Sequence, residues 1–387
     1  MEQDFFLRPD ITFLNFGSFG ACPRPIFENY HYWQTELEQE PVQFITVKGP
    51  EALKTARQAL SGYVGCDADD LVFVTNPSYA MNLVVRNLPL APGDEVLSTD
   101  LEYGACDRIF QFYCEEKKAK YQRQEIVLPL TTKENFIRDF FLGWTEKTKV
   151  VFLSHITSAT ALILPVKEIV AEARRRGAIT IVDGAHVPGQ LPLNLRELDA
   201  DIYTGACHKW MLCPKGNSFL YAHKEVQHLL KPLVVSWGYK SEKPSSSQFL
   251  DYHQMQGTRD FSAFLTTPFA IDYLKKHQWE TQAAACRQLV LANAERFCQL
   301  LKAEALCPLT VEFVPQLFSI PIRTGDPDKL KQVLYSDYKL EIPVTRLHNR
   351  YFIRYSIQVF NTQADLDRLY EVLEELLQKQ PELLSTL

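Results

Sequence analysis

The chain lacks any run of about eighteen apolar residues, so none of its 387 residues reads as a helix that crosses a bilayer. It also lacks a basic block. Its 41 lysines and arginines are outnumbered by 47 acidic residues, for a net charge of −6, and a nucleic-acid partner would find no electrostatic footprint. The first ten residues, MEQDFFLRPD, carry acids and no apolar stretch, and do not read as a secretory leader. Internal repeats and low-complexity tracts are missing too. The nine cysteines are odd in number and follow no repeating framework. They are expected to be reduced thiols in a cytoplasmic protein, most of them packed as small hydrophobes.

What is present is ordinary globular material, 46% hydrophobic and 23% charged, enough for a sizeable core and two lobes. Short β-branched runs alternate with helical patterns: LVFVT (71–75), DEVLST (94–99), TKVVFLS (148–154), AITIVDG (178–184), ADIYTGA (200–206) and NSFLYAH (217–223). This alternation predicts an α/β fold with a mostly parallel sheet flanked by helices. Ligands of such sheets sit outside the carboxyl ends of the strands. Residues 239–260 are polar, Ser-rich and aperiodic, as expected of a loop or a change of domain. Beyond them come long helical patterns (261–302), the strand-like PQLFSIPIR and RYFIRYSIQVF, and a closing helix from about Thr362. The expected division is an N-terminal arm (1–20), a large domain (21–255) and a small C-terminal α+β domain (256–387).

One stretch, GACHKWMLCPKG (205–216), concentrates reactive side chains. Cys207, His208 and Cys213 suggest a metal site, but adjacent strand residues face opposite ways and no second Cys/His pair completes four ligands. No metal is expected. Lys209 is flanked by Trp210, Met211 and Leu212, and a lysine desolvated by such neighbours loses its proton and attacks carbonyls. Asp183 ends a preceding apolar strand, 26 positions upstream (209 − 183). An acid and a lysine at successive strand ends suit pyridoxal 5'-phosphate, which needs a lysine for a Schiff base and an acid to keep its ring nitrogen protonated. TNPSYAMN (75–82) offers a phosphate cradle, a strand end turning into a helix start.

VDGAH (182–186), TGACHKW (204–210) and GTRD (257–260) together resemble the class V aminotransferases, among the fold-type I pyridoxal-phosphate enzymes. FLNFGSFGACPRP (13–25) and RYSIQVFN (354–361) resemble motifs of the isopenicillin N epimerase-like branch. The resemblance implies that Lys209 carries the Schiff base and moves protons, and that Asp183 binds the ring nitrogen. It places His186 near the ring hydroxyl and Tyr103 against the ring face. Asn76, Pro77, Ser78, Thr204 and His208 would contact the phosphate, together with Thr258 from the second subunit of a homodimer. Arg354 would take the substrate carboxylate, with Asn15 and Ser18 lining the same site. Two positions depart from the pattern: Ala206 replaces a frequent asparagine, and Pro77 has no N–H to donate.

The expected activity is therefore chemistry at the α-carbon of an amino acid or a similar compound. Epimerisation, transamination and β-elimination all begin with removal of the same proton. Epimerase or aminotransferase chemistry is the first expectation and a C–S lyase the alternative. A cysteine desulfurase is disfavoured, because its sulfur carrier must be an exposed, mobile thiol. No cysteine follows Cys307, and Cys286 and Cys298 fall on helical patterns. A non-catalytic binding relative is disfavoured by the intact Lys209–Asp183 pair.

Overall fold

The structure, a computed structural model, describes residues 4–387. Its centre is a seven-stranded sheet built from β2 (Leu71–Val74), β3 (Glu95–Thr99), β4 (Lys120–Gln124), β5 (Thr148–Ser154), β6 (Ile179–Asp183), β7 (Ile202–Gly205) and β8 (Ser218–Ala222), in the order 2-8-7-6-5-3-4. Strands β4, β3, β5, β6 and β7 run parallel. Strand β8 is antiparallel to both neighbours, so β2 points the same way as β7.

Both faces of this sheet are buried, which explains its continuous apolar runs. In β5, Val150 and Phe152 join one core cluster while Val151 and Leu153 join the other. In β2, Val72 and Val74 face one side, Leu71 and Phe73 the other. Helices cover both faces. Val166–Arg175 buries Val166, Ile169, Val170 and Ala173, one stripe at helical spacing. The apolar runs seen in the sequence thus become these strands. Strand β4 escaped that reading because KYQRQ, on the sheet edge, packs one half-buried ring, Tyr121 on Phe110, and has no fully buried position to demand apolar residues.

A second, three-stranded antiparallel sheet is formed by β9 (Leu317–Ile322), β11 (Val344–Leu347) and β12 (Arg350–Ser356), with β12 in the middle. The helix Trp279–Leu301 packs on β9. The closing helix Gln363–Lys379 starts at a capping box in which Asp365 accepts from the Thr362 N–H at 2.8 Å. The N-terminal arm joins this region, since β1 (Thr12–Phe13) pairs in parallel with β10 (Leu340–Glu341). Past the expected division at 255/256, the helices Ser262–Leu265 and Thr267–Lys276 pack back onto Gly49–Val64.

The parallel strands and β2 present their carboxyl ends at one edge. The loops leaving β6 and β7 interlock there through Gly189. Its φ is +87°, and a Cβ would lie 2.3 Å from the Trp210 carbonyl group. Gly189→Ala should therefore lower stability by about 2 kcal/mol or more. An unchanged urea unfolding midpoint would show that the two loops are not locked this way.

Candidate active site

A cavity of about 570 Å³ opens at this edge. Every strand of the edge except β4 contributes: Asn76, Pro77 and Ser78 after β2, Tyr103 and Cys106 after β3, Ser154 at the end of β5 and Ser158 beyond it, Asp183 at the end of β6 and His186 beyond it, and His208 and Lys209 after β7. Ser18 of the arm and Arg354 of β12 close the remaining side.

Strand β7 ends at Gly205, so Cys207 to Trp210 form a turn rather than strand. The opposite-faces argument for Cys207 and His208 therefore does not apply. Cys207 and Cys213 are buried and belong to the core. Among the described residues, no group of three His, Cys, Asp or Glu side chains could hold a metal ion. The turn presents Lys209 to the cavity. Desolvation, and then the positive Arg354, lower its pKa to about 8, against partial opposition from Asp183.

His186 is buried, and desolvation followed by Lys209 and Arg354 pushes its pKa well below 6.5, so it is neutral. Its Nδ1 accepts from the Trp210 indole N–H at 3.3 Å. An indole nitrogen can only donate, so the ring hydrogen of His186 sits on Nε2, 3.2 Å from Lys209 Nζ. That tautomer can donate to Lys209 once the amine has lost its proton.

Asp183 Oδ1 accepts from the Ala185 N–H at 2.9 Å, and Oδ2 lies 3.5 Å from the Cys106 thiol. Burial raises its pKa, and among the described residues no cation stands within ion-pair distance. A ring N–H⁺ is the partner this carboxylate lacks. Behind it, Glu102 accepts from Thr99 Oγ1, Ser154 Oγ and the Ser154 N–H at 2.6, 2.6 and 2.9 Å. This buried acid, pushed up to about 8 by desolvation, ties the end of β3 to the end of β5.

Arg354 is buried, and among the described residues no carboxylate lies within ion-pair distance of it. Nη1 donates to the Ser158 carbonyl at 2.6 Å, Nη2 donates to Ser18 Oγ at 3.1 Å, and Nε has no partner. Desolvation lowers its pKa to about 10, which leaves it charged. An unpaired guanidinium facing a cavity fits a carboxylate.

Other expected residues stand elsewhere. Thr204 does not line the cavity, because its hydroxyl donates to the Phe219 carbonyl at 2.8 Å across the β7–β8 pair. Asn15 stands behind the wall and accepts from the Ser18 hydroxyl. Thr258 lies in a separate groove with Trp237, Met255 and Phe261. The sequence reading gave no role to Cys106, Ser154, Ser158 or Lys215, all of which line the cavity. Signals existed for two of them: Ser154 ends the apolar β5, and Cys106 stands one helical turn beyond Tyr103.

A mostly parallel sheet with a reactive lysine at its carboxyl edge and a small lobe carrying an arginine is the architecture of a fold-type I pyridoxal-phosphate enzyme. Residues 44–369 match the model of the aminotransferase class-V family, and the chain belongs to that family, whose cofactor is pyridoxal 5'-phosphate. It is 33% identical over 393 residues to an isopenicillin N epimerase of Amycolatopsis lactamdurans, covering 97% of each chain. It is 26% identical to a putative L-cysteine desulfhydrase of Oryza sativa subsp. japonica, covering 94% of this chain and 82% of that one. The apo structure of a cysteine desulfurase from Thermococcus onnurineus NA1 shares the fold, with a TM-score of 0.83 at 19% identity over 97% of both chains.

The residues present fit the cofactor: a poised amine, an acid without a cation and a helix start share one cavity. Gly20 lets the arm pass against the turn that carries Lys209, since a Cβ there would lie 2.5 Å from the His208 carbonyl oxygen. Labelling of Lys209 in the apo-protein by acetic anhydride should rise with a midpoint near pH 8. Arg354→Met removes a like charge and should move the midpoint up, whereas Asp183→Asn should move it down. A wild-type midpoint at the ordinary lysine value of 10.5 would refute the poised amine.

Proposed function

We propose that the protein acts at the α-carbon of an amino acid or amino-acid-like substrate through Lys209, with epimerase or aminotransferase chemistry. The observation that carries this reading is the meeting of Lys209, Asp183 and the unpaired Arg354 in one cavity. Bound there, pyridoxal phosphate supplies an electron sink for negative charge at the α-carbon. Arg354 holds the substrate carboxylate through a guanidinium already oriented by Ser18 and Ser158. With the cofactor bound, Asp183 would keep a proton on its ring nitrogen. The Lys209 amine would take the α-proton, oriented by the His186 Nε2–H.

Epimerisation needs a second acid to deliver a proton from the other side. Tyr103, 48% exposed on the cavity wall, brings a hydroxyl suited to that role. The 33% identity with an isopenicillin N epimerase supports the same outcome. The similarity to a desulfhydrase keeps β-elimination as the second reading. A desulfurase is less well supported. Eight of the nine thiols are buried, and the ninth, Cys22, is half-buried with its pKa pushed up to about 12 by desolvation. These unpaired cysteines also suit a cytoplasmic, reducing setting.

We read the assembly as a homodimer in which Thr258 of one subunit serves the phosphate of the other. Its groove is rimmed by exposed apolar residues, with Trp237 79% and Met255 45% accessible, a pattern common at interfaces.

Incubating the holoenzyme with D- and L-amino acids in heavy water separates the outcomes. Inversion with deuterium at Cα marks an epimerase, a keto acid a transaminase, and released sulfide or thiol a lyase. Tyr103→Phe should abolish inversion while leaving deuterium exchange with retention, and Lys209→Ala should remove both along with the visible absorbance. Retained activity in Lys209→Ala would end the reading. Trp237→Asp should shift the protein towards monomer in light-scattering chromatography and weaken its hold on cofactor. A monomeric wild type with full cofactor would exclude the shared site.

A further inference from the structure

The phosphate side of the cavity is poor in charge. Pro77 has no N–H, and Ala206 brings no polar side chain. In the first turn of the helix Pro77–Asn87, the Tyr79 N–H is spent on Asn76 Oδ1 at 2.8 Å and the Ala80 N–H on the Asn76 carbonyl at 3.3 Å. Ser78 is left to donate through its N–H and hydroxyl. Thr204 is turned away to Phe219.

His208 does not supply the missing charge. Desolvation, and then Lys209 and Lys215, lower its pKa to about 4 in spite of its bond to Asn217, so it is neutral. Its Nδ1 lies 3.0 Å from the Asn217 carbonyl oxygen, which only accepts, and therefore Nδ1 carries the hydrogen. Nε2 is then a bare acceptor. A phosphate monoester carries a charge of about −1.5 to −2 at neutral pH, and on this side the Ser78 donors and the start of the helix meet it without a full positive charge.

Lys215 stands on the same wall. It lines the cavity with Asn76, Ser78 and His208, and it is close enough to His208 to disfavour a proton there. Its ammonium donates to the Gly20 carbonyl at 3.2 Å. Among the described residues no carboxylate lies within ion-pair distance of it. The other two cations of the cavity have duties of their own, Lys209 at the cofactor aldehyde and Arg354 at the substrate carboxylate. We propose that Lys215 is the cation that meets the cofactor phosphate, completing a cup to which Pro77 and Ala206 bring no donor. This rests on the pyridoxal-phosphate site proposed above. A lysine serves such a role as a point charge, without demanding a fixed geometry.

The test titrates apo-protein with pyridoxal 5'-phosphate and, separately, with pyridoxal, following protein fluorescence. Lys215→Gln should weaken binding of the phosphorylated ligand by about 10- to 100-fold, the range for one lost charge-assisted contact, and leave pyridoxal unchanged. Lys215→Arg should recover most of the loss. Inorganic phosphate should compete with the phosphorylated ligand in wild type and lose that effect in Lys215→Gln. Unchanged affinity in Lys215→Gln, or an equal loss for both ligands, overturns the proposal while leaving the Lys209 site intact. A wild type that binds neither ligand would instead overturn the site itself.

Discussion

Lys209 and Arg354 share a cavity whose described lining has one carboxylate, Asp183, and the site is organised by how that imbalance is relieved. Burying unpaired charge is costly. Arg354 stays charged because Ser18 and Ser158 offer it oxygens instead of an acid. Lys209 yields instead: its proton becomes easy to lose, and the neutral His186 places a hydrogen where the amine's lone pair can receive it. A carboxylate beside either cation would have made a more comfortable resting protein with a less reactive amine. The two-sided core beneath the strands, together with Glu102 bracing β3 against β5, supports this uncomfortable arrangement.

The same logic distinguishes the two histidines. His186 receives an indole N–H on Nδ1 and so carries its hydrogen on Nε2, whereas His208 donates from Nδ1 to a carbonyl and leaves Nε2 bare. Both are neutral, yet one presents a donor and the other an acceptor. Their neighbours, the Trp210 indole and the Asn217 carbonyl, settle which, so the unreactive groups of the 205–218 segment bear on the chemistry as much as its reactive side chains do.

Much of this was legible from residues alone. Apolar runs bounded by turns locate the central strands, and position after a strand end singles out Asp183, Lys209 and Asn76 before any coordinates exist. What stayed hidden depends on direction rather than location. Thr204 stands in the right strand, but its hydroxyl is captured by a neighbouring carbonyl, which only the β7–β8 register reveals. Cys207 and His208 read as strand because the apolar run continues past Gly205, yet the chain turns there. Strand β4 is polar because an edge needs no second buried face. Lys215 was in plain sight, but a lysine between proline and glycine has nothing local to mark it as part of a cavity.

The N-terminal arm gives the site a mechanical property. Strand β1 is hydrogen-bonded to β10, the Leu14 carbonyl accepts from the Ser356 N–H at 2.9 Å, and the Gly17 N–H donates to Ser356 Oγ at 3.1 Å. The arm is thereby bolted to the small sheet that carries Arg354, although it lies across the mouth of a cavity rooted in the large one. Ser18 holds Arg354 from that side, while the Ser158 carbonyl, just beyond β5 of the large sheet, holds it from the other. The carboxylate grip is therefore moored at two points, and it keeps its distance from Lys209 only while both moorings hold, as a clasp closes on two straps.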